Sequence, residues 1–89
     1  MGYCVYVLEC YIAGSFSCYY VGQTNDLNSR MEEHYDSIRE HNTDSFVGRF
    51  DYVKLIWHKI VPTREDAVRL ESYLKSLSPS GKRSYMNHN

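Results

Sequence analysis

The sequence predicts an α+β domain with the element order β-β-α-β-α and a small C-terminal element. Three observations carry that expectation. Two N-terminal segments are rich in β-branched and aromatic residues and are joined by a short turn. Two later segments repeat apolar residues every three to four positions, the period of an amphipathic helix. A further apolar run separates those helices and stops at a proline.

The elements follow in order. Tyr3 to Ile12 is apolar on both alternations, as in a central strand buried on both faces. Ala13-Gly14-Ser15 supplies turn chemistry, and Cys18 to Thr24 reads as a second strand. The short connection makes an antiparallel hairpin the natural pairing. Thr24-Asn25-Asp26 offers capping side chains for a helix whose stripe is Leu27, Met31, His34 and Ile38. Residues 39–50 are polar and read as a loop or a frayed helix end. Asp51 to Val61 is the third strand, ended by Pro62. Thr63-Arg64-Glu65-Asp66 is a capping-box variant, with Asp where Glu is usual. Ala67, Leu70, Leu74 and Leu77 form the second stripe. Ser78-Pro79-Ser80-Gly81 is expected to stop that helix, leaving Lys82 to Asn89 as a short final helix or a tail.

Length and composition bound the function. Residues 1–89 are expected to form one domain. Such a chain buries roughly 60–65% of its unfolded surface, so its core is thin. Three cysteines, Cys4, Cys10 and Cys18, are odd in number and contain no C-x-x-C pair. Buried reduced thiols are expected rather than a disulfide framework or a zinc site. No apolar run reaches membrane-spanning length, and no secretory signal is visible, so a cytoplasmic protein is expected. Ten Lys and Arg against eleven Asp and Glu give a net charge of −1. Nucleic-acid binders are commonly basic overall, so contact with nucleic acid must come from a local patch.

Some polar residues sit where packing alone would not put them. His34 lies mid-stripe, with Arg30 one turn earlier on the same side. A histidine there is either a satisfied core residue or a working one. Glu71 lies within the arc of Ala67 and Leu74, about 40° from its middle by the helical period. A flanking glutamate is often only solvated, but a buried carboxylate needs a cation or several donors. Arg, His and Glu turned toward a shared sheet would suit a phosphate and a metal. Tyr6 and Tyr20 stand in the paired strands, and each phenol needs a hydrogen-bond partner if buried.

Together these residues resemble a known family. Cys4-Val5-Tyr6 followed by Tyr20-Val21-Gly22 is similar to the paired tripeptides that name the GIY-YIG nucleases. Gln23 to Leu27, then Arg30 and Glu33-His34, continue the match. Thr63 to Ala67, Leu70-Glu71 and Leu74 to Leu77 resemble the family's approach to its glutamate. The resemblance implies a three-stranded antiparallel sheet flanked by helices. It implies hydrolysis of DNA with one divalent ion, Mg²⁺ or Mn²⁺. By position, Glu71 resembles the metal-binding glutamate and Arg30 the arginine that faces the scissile phosphate. Tyr6 and Tyr20 resemble the motif tyrosines, one of which activates water. His34 matches a histidine one turn after the arginine in some branches. Asn87 and His41 are weaker matches to supporting residues of other branches.

The chemistry asks for these residue types. Hydrolysis builds negative charge on phosphoryl oxygens, which a carboxylate-held cation and a planar guanidinium both stabilise. A tyrosine acts as base only if its phenol, ordinarily near 10, is pulled down by cationic neighbours. Cys4 in place of the first motif glycine bears on strand geometry rather than on chemistry. Lys75, Lys82 and Arg83 form the expected DNA-contacting end, with Arg30 as the second cationic point. DNA binding is thus expected to be weak and salt-sensitive. Specificity would come from DNA shape or from a partner protein. The alternative is a non-catalytic nucleic-acid-binding or interaction module that keeps the fold.

Overall fold

The computed structural model describes residues 2–89. Its order is β1 (Tyr3–Ile12), β2 (Ser15–Thr24), α1 (Leu27–Arg39), a 3-10 turn (Val47–Arg49), β3 (Tyr52–Val61), α2 (Arg64–Ser76) and α3 (Pro79–His88). All three strands pair antiparallel in the spatial order β2-β1-β3. The central strand is β1, which explains its unbroken apolar run. Val5, Tyr6, Val7 and Leu8 are fully buried.

Alternate side chains of β1 point to opposite faces of the sheet. Tyr6, Leu8 and Cys10 pack with Met31 of α1 and with Val47, Phe50 and Val53. Val5 and Val7 pack with Val21, Val61 and with Ala67 and Leu74 of α2. α1 and α2 therefore cover opposite faces. A β-bulge sharpens this division. Val7 pairs with Trp57 but Leu8 with Leu55, so Ile56 is the extra residue of β3. Val53 and Leu55 consequently face the α1 side, whereas Trp57 and Val61 face the α2 side.

The hairpin is tighter and longer than the sequence suggests. Ile12 pairs with Ser15, leaving a two-residue loop. Ala13 and Gly14 both have positive φ, at 52° and 81°, as an I′ turn requires. The Ala13 N–H donates to the Asp51 carboxylate at 2.6 Å, which pins this unfavourable alanine conformation. Asp51 thus precedes β3 instead of opening it. β2 begins at Ser15, three residues before the expected Cys18. A second bulge, at Ser17, lets Phe16 pair with Tyr11 and breaks the alternation that marks a strand in sequence.

The helix caps follow their sequence signals. Asp26 accepts from the Ser29 N–H at 3.1 Å, and Thr63 from the Asp66 N–H at 3.1 Å. Asp66 does not reach back to a backbone N–H as a capping-box glutamate would. Its carboxylate accepts the Thr63 hydroxyl instead. Ser78-Pro79 corrects an expectation. Ser78 is the N-cap of α3, accepting from the Gly81 N–H, and Pro79 occupies its first turn. The segment read as a stop is also a start, and the C-terminal element is a helix of ten residues. Cys4 sits in regular register with Thr24 and Ile60, so the cysteine is accommodated without distortion. Cys4 and Cys10 are buried free thiols, and Cys18 is half-buried.

Leu74 is fully buried at the centre of the α2-face core. Leu74→Ala is expected to lower unfolding free energy by about 2–5 kcal/mol, measured by urea denaturation at neutral pH.

Candidate active site

The centre of the site is Tyr6. Its ring lies over Gly22, its register partner on β2. A Cβ placed on Gly22 would fall 2.5 Å from Tyr6 Oη and 2.6 Å from Cζ. Glycine is required here for close approach, not for an unusual φ. The phenol is buried and has two partners. It lies 2.8 Å from His34 Nε2 and accepts from Arg30 Nε at 3.4 Å. Arg30 only donates to it, so with Nε2 of the neutral imidazole unprotonated the hydroxyl proton points to the histidine.

The helical stripe delivers both partners. His34 is 4% exposed and is the one buried polar residue among those described. Arg30 lies one turn earlier, with its guanidinium half-exposed and Nη1 3.4 Å from Glu33 Oε2. Tyr20 completes the cluster, its ring 6.2 Å from that of Tyr6 and edge-on to His34 at 5.4 Å. Tyr20, Arg30, Glu33, His34 and Phe46 line a cavity of about 320 Å³. It is an open pocket with a guanidinium, an imidazole and a phenol on its wall, suited to an anionic oxygen cluster.

Burial sets the protonation states. Desolvation, with the Arg30 charge adding to it, pushes His34 down to about 4. The imidazole is therefore neutral at pH 7 and free to accept the Tyr6 proton. Desolvation pushes Tyr6 up to about 12, and the hydrogen bond from Arg30 offsets only part of this. The expected downward pull on a motif phenol is present but is outweighed at Tyr6 by burial.

Glu71 stands apart from this cluster. α2 covers the other face of the sheet, so Glu71 reaches the edge strand β2 from the opposite side. Its Oε1 accepts from Gln23 Nε2 at 3.3 Å, and its Oε2 lies 3.4 Å from Lys75 Nζ. Its side chain is 18% exposed. Arg, His and Glu are thus not turned toward one face. They flank β2 from both sides, and a second cleft wraps that edge between them. Tyr19, Tyr20, Val21, Phe46, Lys75 and Lys82 line this cleft, of about 380 Å³.

The remaining sequence candidates lie elsewhere. His41 is exposed in the turn after α1, with φ at 51°. Asn87 is exposed on α3, beside Glu9, Trp57 and Arg83 on the α2 face. Neither joins Tyr6, Arg30 and His34. Lys82 donates to the Leu77 carbonyl at the end of α2, and Arg83 Nη1 donates to Tyr19 Oη at 3.4 Å. Gln23 and Phe46 were not singled out from the sequence. Gln23 directly follows the Tyr20-Val21-Gly22 motif, and alternation places it on the face opposite Tyr20. Phe46 is one of two aromatics, with Phe50, in the mostly polar segment 39–50, which is itself a signal.

A family model for the GIY-YIG catalytic domain matches residues 2–85. The chain belongs to the GIY-YIG family. Searches of curated proteins and of solved structures find no match. Membership in the GIY-YIG family implies activity of the nuclease type, and these nucleases generally use divalent metals. No described helix of this GIY-YIG domain is long and apolar enough to cross a membrane.

Two outcomes are expected. Gly22→Ala drives the Tyr6 ring off His34 and lowers stability by about 1–3 kcal/mol, read by thermal unfolding. His34, folded, titrates near 4 and, unfolded, near 6.5. The unfolded chain therefore binds the extra proton between those values, and stability falls as pH drops from about 6.5 to about 4. Denaturation midpoints across that window measure the slope, and His34→Gln removes its share.

Proposed function

We propose that this chain is an endonuclease that hydrolyses DNA phosphodiester bonds, with Tyr6, Arg30 and His34 as its proton-transfer and phosphate-binding set. The Tyr6–His34 hydrogen bond beside Arg30 carries this reading. Tyr6, Tyr20, Arg30, His34 and Glu71 are all present, and a pure binding module has no need of a metal-site carboxylate.

The scissile phosphate enters the pocket beside Arg30. Arg30 exchanges its exposed contact with Glu33, a surface pair of small worth, for the phosphoryl oxygens. That movement also uncovers the buried Tyr6 oxygen to the attacking water. Tyr6 takes the proton of the water while its own proton passes to His34 Nε2. The imidazolium so formed faces an anionic phosphate, which favours it and offsets the cost of burial. Arg30 holds charge that develops on the phosphoryl oxygens. Tyr20, half-buried on the same wall, orients the phosphate. The general base under this reading is Tyr6, with His34 as the proton acceptor behind it.

Under this reading a single divalent ion, Mg²⁺ or Mn²⁺, would be held by Glu71. Glu71 already holds a cation, the Lys75 ammonium, at a partly buried carboxylate. Among the described residues no cluster of three or more His, Cys, Asp or Glu exists, so one carboxylate with water and phosphate would complete the shell. Glu71 would hold such an ion, which would supply further charge stabilisation to the phosphate.

Nicking of supercoiled plasmid with Mg²⁺ or Mn²⁺, against a chelator control, tests the reading. Glu71→Ala is expected to fall to the chelator background. Tyr6→Phe is expected to lose about 10²–10⁴-fold in kcat. Nicking that survives unchanged in Glu71→Ala would sink the assignment.

A further inference from the structure

Phe46 is an exposed apolar ring that lies beside the candidate site. It is 46% exposed in the loop before the 3-10 turn, where an apolar ring gains little. One face stacks on Tyr20, with centroids 5.7 Å apart and planes at 26°. Its edge tilts against Phe50 at 5.3 Å. Phe46 lines both the Arg30–His34 pocket and the neighbouring cleft around the β2 edge. Across that cleft stand Lys75 and Lys82, cations beside an aromatic wall. Lys75 is more than half exposed, and its contact with Glu71 is an exchangeable surface pair.

An aromatic face opposite lysines, one ring away from a phosphate pocket, matches a nucleotide lifted out of a duplex. The base has a π-face to stack, and its flanking phosphates are anionic. A paired base is already stacked on both sides and gains nothing from Phe46. We infer that the cleft seats one unpaired nucleotide of a DNA strand, stacked on Phe46 and flanked by Lys75 and Lys82. The substrate class is then DNA that carries an unpaired nucleotide next to the scissile phosphate. This rests on the reading that the chain acts on DNA.

The test uses the whole protein in low salt with chelator, so that binding is read without cleavage. The probe is a duplex with a single bulged 2-aminopurine, compared with the same duplex without the bulge. The wild type is expected to bind the bulged duplex at least about five-fold tighter and to quench the 2-aminopurine. Phe46→Ala is expected to lose both effects, so that it binds the bulged and the plain duplex alike. Phe46→Trp is expected to retain them. Phe46→Leu keeps apolar bulk without a π-face, and so decides the matter if the alanine variant unfolds. Equal affinity for the two duplexes, or a preference that survives in Phe46→Leu, overturns the inference. Plasmid nicking on the same preparations separates it from the nuclease reading. Preference without metal-dependent nicking leaves the seat standing and removes the nuclease. Nicking without preference does the reverse, and no binding to either duplex removes both.

Discussion

The close approach of the Tyr6 ring to the backbone of Gly22 is the constraint on which the rest of the site depends. It places a phenol in the sheet's interior, where its hydroxyl must find partners. His34 and Arg30 are those partners, and both come from one face of α1. The register Tyr6↔Gly22 therefore couples strand pairing to chemistry. A slip by one residue would turn Tyr6 to the other face and put a side chain under it. Glycine at the end of the second motif tripeptide has a steric reason, independent of backbone conformation.

The edge strand β2 organises the second half of the site. α1 and α2 pack on opposite faces of a three-stranded sheet, and only at an edge can groups from both reach one substrate. Tyr20 turns toward α1 and Gln23 toward α2, one on each side of the strand. Phe46 and Lys75 meet in the cleft around that edge. The cluster of Tyr6 and His34 is buried, while the Glu71–Lys75 pair and Arg30–Glu33 pair are partly open to solvent. Buried groups hold the geometry, and the exposed ion pairs are the ones free to exchange partners.

The modest charge of the chain acquires a structural meaning. Each cation near the site already has an internal partner: Arg30 has Glu33, Lys75 has Glu71, Lys82 has a helix-terminal carbonyl, and Arg83 has Tyr19. Under the proposed function, an incoming phosphate would compete with those partners. Long-range attraction would then be small, and recognition would fall to the shape of the pocket and the aromatic wall beside it.

Local patterns in the sequence were enough for the element types and their order. The unbroken apolar run of β1, the two helical stripes, and the caps at Asp26 and Thr63 are short-range signals with short-range causes. His34 was visible as a polar residue on an apolar stripe, and its burial follows from that stripe. Ser78-Pro79 was legible only in part, because the same residues that end one helix start the next. The start of β2 was hidden by the Ser17 bulge, which breaks alternation. What tertiary structure alone decided is which side of the sheet each group occupies. A helical stripe shows that a helix packs, but not on which face, so the separation of Glu71 from Arg30 and His34 could not be read from spacing. The same holds for Phe46, whose neighbours Tyr20 and Lys75 are distant in the chain and meet only once β2 becomes an edge.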